Sequence, residues 1–212
     1  MDVRRSLWNI EELREWTPEE VEKQRSIIAT QIMAVLSQSN GELHYFQGFH
    51  DVVSVLVLVL GGDLSSSSSS SNKSKHKDKG STTSELLSQQ LVYRVVEQVS
   101  NVYFRDCART DFGTITRVIS LVLDLVRDQD EELYAFFGEA DIPPYFATSW
   151  LITWWSHELK DLGEAARVFD VLLASPPYYC LYLCAAYLIV MRDRILQEEC
   201  DFGLLHNALT RG

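Results

Sequence analysis

An all-α fold, one domain of two helical lobes, is what the sequence predicts, and three observations point there. Apolar residues recur at three- and four-residue spacings through most of the 212 residues, the period of a helix that buries one stripe. The one run with strand character, Val52 to Leu60, has no second run of its kind to pair with, and an unpaired strand is not a stable element. The composition, 46% hydrophobic and 23% charged, is that of an ordinary folded domain, and a chain of this length buries enough surface to need no staple.

Each element has a local reason. Thr17-Pro18-Glu19-Glu20 sets a capping hydroxyl, a proline at the first helical position and an acid at the third, which starts a helix. Val21, Ile28, Ile32 and Val35 carry that helix to about Ser37, and Asn40-Gly41 stops it. The stretch 52–60, nearly all β-branched or Leu, then reads as a buried helix ended by Gly61-Gly62. From 61 to 84 the chain runs through Ser65 to Ser71 and a lysine-rich stretch with Leu64 as its one apolar side chain. Such a segment cannot offset the entropy of ordering and reads as a flexible insertion. It divides an N-terminal part, 1–60, from a helical remainder, 85–212, in which helices are expected at 86–102, 112–126, 130–137, 147–160, 163–174, 178–197 and 204–209. The uncharged stretch Val171 to Met191 is broken by Pro176-Pro177. About 14 apolar-leaning residues remain, short of the ~20 a membrane span needs, so it reads as a buried helix after a double-proline turn.

Charge and motif content narrow the function. A formal net charge of −11 repels phosphate backbones, so the expected partner is a protein and not a nucleic acid. Cys107, Cys180, Cys184 and Cys200 form no CxxC pair and have no histidine at ligand spacing, which points to reduced thiols and no metal site. The opening MDVRRSLWNIEEL lacks the apolar run of a signal peptide. No nucleophile elbow, phosphate loop, HExxH or GxGxxG occurs, so self-contained catalysis is not indicated. His44, His50, His157 and His206, taken singly, read as packed or surface residues. Trp150, Trp154 and Trp155, with Tyr178, Tyr179, Tyr182 and Tyr187, read as core. Arg167 and Asp170 are expected to pair with each other or with a neighbouring helix end.

Two short segments stand out. In Asp2-Val3-Arg4-Arg5 a carboxylate three residues before a guanidinium shares its helical face and can hold it in one pose. In Tyr45-Phe46-Gln47-Gly48 an amide at a helix entry points outward, while Gly48 permits close approach of a partner.

Together these segments resemble the TBC-domain Rab GTPase-activating proteins, which carry a first motif ending Asp-x-x-Arg and a second motif Tyr-x-Gln-Gly separated by an amphipathic helix. Ser149-Trp150-Leu151-Ile152-Thr153-Trp154-Trp155 is similar to the family's tryptophan-rich helix, and Arg167-Val168-Phe169-Asp170 to its Arg-x-Trp-Asp segment. The resemblance spans nearly the whole chain outside the serine-rich stretch. It implies an activator that is not itself an enzyme: Arg5 as an arginine finger, Gln47 as a glutamine finger, Asp2 steering Arg5, and Tyr45 packing beneath the second finger. The implied partner is a Rab-family GTPase in its GTP form. Nucleotide and magnesium belong to that GTPase, and the chain has no cofactor of its own. Asp-Val-Arg-Arg-Ser with Leu-His-Tyr-x-Gln-Gly-x-His-Asp is most similar to a branch anchored in the endoplasmic reticulum, which implies traffic between reticulum and Golgi and a cytoplasmic location at those membranes. The chain opens one residue before Asp2, without the apolar residue that begins the first motif, and is expected to be an N-terminally truncated form. The competing expectations are a catalytically inactive Rab-binding or scaffold module and a helical adaptor for peptides.

Overall fold

The computed structural model describes residues 2–7, 9–61, 80–109 and 113–210, with the backbone alone at 80–85. Among these residues there is no strand, as the apolar periodicity predicts. A short 3-10 helix, Val3–Arg5, opens the chain and a second, Glu11–Leu13, follows. Helix α1 runs over Pro18–Gln38 and begins with the expected capping box: the Thr17 side chain accepts from the Glu20 N–H while Glu20 accepts from the Thr17 N–H at 2.8 Å. Its inner stripe of Ile28, Ile32 and Val35 is buried.

Helix α2 spans Phe49–Leu60 and is buried on every side from Phe49 to Leu58. That explains its largely apolar sequence, in which His50, Asp51 and Ser54 are the polar exceptions, because a helix surrounded by others has no solvated polar face. Helix α3 covers Gly80–Val102 and so begins inside the segment read from sequence as an insertion; residues 62–79 lie outside the described residues. Helices α1, α2 and α3 pack on one another, and α4 (Gly113–Gln129) packs on α5 (Glu131–Glu139) and α8 (Tyr179–Val190) as a second group. Between the groups, α6 (Thr148–Thr153) touches both α2 and α8, and α7 (Leu162–Leu173) touches α2. Helices α9 (Arg192–Ile195) and α10 (Phe202–Thr210) complete the chain.

The structure departs from the sequence expectations at four places. The helix expected over 147–160 ends at Thr153, because Trp154 and Trp155 adopt left-handed backbone at φ +52° and +61°. No glycine or proline announces this stop. Strain of this kind costs on the order of 1–3 kcal/mol per residue and is offset by burying both indoles, with Trp154 against Phe104 and Phe169 and Trp155 stacked on Trp150. The helix expected over 178–197 breaks at Met191 into α8 and α9. Nor is α8 wholly buried: Tyr178, Tyr179, Tyr182 and Val190 face outward, and of the four tyrosines assigned to packing Tyr187 alone leans on the core, edge-on to Trp150. Arg167 and Asp170 both lie exposed on α7 and form no ion pair, since two solvated side chains gain little by meeting.

Candidate functional site

The first motif is held by backbone and not by length of helix. In the 3-10 turn Val3–Arg5, residues three apart eclipse, which sets the Arg5 guanidinium 3.5 Å from the Asp2 carboxylate. Val3 is buried below, Ser6 is wholly buried with its hydroxyl donating to the Val3 carbonyl, and Leu7 turns the chain inward at φ +67°. Arg25 of α1 donates to the Ser6 carbonyl. Further on, the Asn9 amide donates to the carbonyls of Ser156, His157 and Leu159, and the Glu11 N–H donates to the Lys160 carbonyl. With its anchor residues buried, Arg5 is left pointing out, its side chain 68% exposed.

The second motif forms the turn that starts α2. The Phe49 N–H donates to the Phe46 carbonyl at 3.2 Å, and Gly48, third in this turn, sits at φ +99° and ψ −16°, values that a type II turn demands and glycine supplies without strain. Gln47 occupies the outward corner and is exposed. Gly48 is itself buried, and the chain's own α6 comes close to it: a Cβ at position 48 would lie 2.7 Å from Thr153 Cγ2.

The two turns meet. Asp2, Arg5, Gln47 and Gly48 line one open cleft of about 490 Å³, together with Tyr145, Ser149, Ile152 and Thr153 on and beside α6. Tyr45 joins the motifs from below, its Oη accepting from the Asp2 N–H at 3.2 Å and bonded to His50 Nδ1 at 2.7 Å. Burial raises the Tyr45 pKa and lowers that of His50.

Sequence reasoning missed three residues here. His50 and Asp51 are buried polar groups at the head of α2, and His157 follows α6. Asp51 faces His50 Nε2 at 3.4 Å through one carboxylate oxygen and accepts from His157 Nδ1 at 3.0 Å through the other. That hydrogen bond raises the His157 pKa. Polar residues inside an otherwise apolar helix were the available signal for His50 and Asp51; nothing local marks His157. Among the described residues no group of His, Cys, Asp and Glu has metal-binding geometry, and no helix is long and apolar enough to cross a membrane.

The all-α domain thus presents an arginine and a glutamine at one cleft. Residues 16–196 match the model of the Rab-GTPase-TBC domain, and the chain belongs to that family. The match starts after Arg5 and includes Gln47. The chain is similar to "TBC1 domain family member 20" of Bos taurus, 28% identical over 214 aligned positions that take in 100% of this chain and 45% of that protein. It is also similar to "GTPase-activating protein gyp10" of Schizosaccharomyces pombe, 28% identical over 86% of this chain and 42% of the relative. "GTPase-activating protein GYP8" of Saccharomyces cerevisiae is 22% identical over 79% of this chain and 36% of its own length. The chain thus spans less than half the length of these curated relatives.

Proposed function

We propose that this domain accelerates GTP hydrolysis on a Rab-family GTPase, in its GTP form, by supplying two side chains in trans. The observation that carries the proposal is the convergence of Arg5 and Gln47, exposed on separate turns, at one cleft. Hydrolysis on a small GTPase is limited by charge developing on the transferred phosphoryl group and by poor placement of the attacking water. The planar guanidinium of Arg5 would neutralise that charge from two directions, with Asp2 restricting its approach. The Gln47 carboxamide, donor and acceptor at once, would orient the water. Nucleotide and magnesium are the partner's, and the activator is not consumed and binds no cofactor. The names of two relatives support a GTPase-activating role, and the motif resemblance extends the proposal to a substrate in traffic between endoplasmic reticulum and Golgi.

Single-turnover phosphate release from a panel of GTP-loaded Rabs tests this reading. An arginine finger is worth about 10³ to 10⁵ in rate, or roughly 4 to 7 kcal/mol, so Arg5→Ala should abolish acceleration. Arg5→Lys should fail nearly as badly, because an ammonium cannot bridge two phosphate oxygens as a fork does. Gln47→Ala should lose acceleration while keeping GTP-Rab binding. Unchanged rates for Arg5→Ala would remove the assignment, and binding to GTP-Rab without acceleration by the parent would make the domain a scaffold.

A further inference from the structure

Asp2, His50, Asp51 and His157, which line the cleft, are linked with Tyr45 in a chain of polar contacts. The Asp2 N–H donates to Tyr45 Oη at 3.2 Å, and Tyr45 Oη lies 2.7 Å from His50 Nδ1. The other ring nitrogen of His50 faces Asp51 Oδ1 at 3.4 Å, and Asp51 Oδ2 receives His157 Nδ1 at 3.0 Å. A carboxylate beside Nε2 places the His50 proton there, which leaves Nδ1 free to accept from the tyrosine hydroxyl. Tyr45 thus accepts from Asp2 and donates to His50, while the Asp51 carboxylate accepts from His157 and lies in close polar contact with His50 Nε2, so both arms end on Asp51. His50 and Asp51 are 4% exposed, and polar partners of buried groups are costly to lose. The loop carrying His157 also holds the chain shortly after the first motif, through Asn9 on the carbonyls of Ser156, His157 and Leu159.

We infer that His157 and Asp51, acting through His50 and Tyr45, are positioning residues that fix the Arg5 turn relative to the Gln47 turn. For the consequence in catalysis this rests on the GTPase-activating reading; the structural half of it does not. The work of these four residues is to remove freedom from the turn that carries Arg5, since a misplacement of about 1 Å costs a factor of about 10² in rate.

The test uses the full chain with His157→Leu and His157→Asn. Leucine fills the space but cannot donate to Asp51, whereas the asparagine amide stands close to where Nδ1 stood. His157 is 44% exposed in its side chain, so neither variant threatens the core. Amide hydrogen exchange at Arg5 and Ser6, whose N–H groups bond to the Asp2 and Val3 carbonyls, should be faster in His157→Leu and close to the parent in His157→Asn. In the Rab assay kcat should fall about 10- to 100-fold for His157→Leu, with the half-saturating domain concentration unchanged and most of the rate recovered by His157→Asn. Parent-like exchange in His157→Leu, or equal damage in both variants, would overturn the inference. If the parent accelerates hydrolysis and Arg5→Ala does not, while His157→Leu keeps the parent kcat, the positioning role alone is lost. If the parent activates no Rab, the functional proposal is lost and hydrogen exchange decides the positioning role unaided.

Discussion

Replacing Gly48 by alanine should damage this domain twice over, and the two effects can be measured apart. At φ +99° an L-residue carries a conformational penalty of roughly 1–2 kcal/mol. The new methyl would also start 2.7 Å from Thr153 Cγ2, a contact that neither partner can swing away from, because threonine is stiff at χ1 and α2 is packed on α6. Overpacking of this sort costs about 1–3 kcal/mol, so the total is about 2–5 kcal/mol. With a urea slope of ~3 kcal/mol per M for a chain of this size, the unfolding midpoint should fall by about 0.7–1.7 M. Thr153→Ser removes the offending methyl and keeps the hydroxyl that donates to the Ser149 carbonyl at 2.7 Å. Alone it should cost ~1 kcal/mol for the buried methyl. Combined with Gly48→Ala it should recover the steric part, giving a coupling of about 1–3 kcal/mol in the double-mutant cycle and leaving the conformational part in place. Circular dichroism of the four proteins in urea reads all of these numbers. A Gly48→Ala midpoint equal to the parent's, or additive effects in the double mutant, would refute the argument.

The remaining predictions concern protons. His50 and His157 should titrate on opposite sides of the ordinary 6.5: burial lowers the first, although Asp51 and Asp2 oppose it, and the hydrogen bond to Asp51 raises the second. Through linkage, the stability His157 adds is fully present below 6.5 and lost as pH rises through its folded pKa. What His50 adds is present above 6.5 and lost as pH falls. Imidazole resonances followed by NMR check this, and Asp51→Asn should bring the His157 midpoint down; two midpoints on the same side would contradict the assignment. Glu158 has one carboxylate oxygen, Oε2, that is buried without a hydrogen-bond partner, and burial raises its pKa against the Ser149 hydrogen bond. The parent therefore loses stability as pH rises from 4.5 through that raised value. Glu158→Gln should gain on the parent over the same window, seen as a higher melting temperature at about pH 7 than at about pH 4 relative to the parent. An advantage that shrinks as pH rises would count against it.

What the sequence determined by itself is whatever depends on neighbours along the chain. The Thr17 capping box, the stop at Asn40-Gly41 and the apolar spacing of α1 are encoded within a few residues, and they appear where the sequence puts them. The all-burying character of α2 was legible for the same reason, as was the pairing of Asp2 with Arg5, since eclipsed neighbours in one turn need no tertiary help. The tertiary structure alone decided three matters. The tryptophan-rich helix stops at Thr153 because two indoles find opposite pockets, an energy that belongs to Phe104, Phe169 and Trp150 and not to the local backbone. Gly48 is needed because α6 passes beside it, and His157 matters because Asp51 lies across from it. These are contacts between residues far apart in the chain, and no spacing rule carries them.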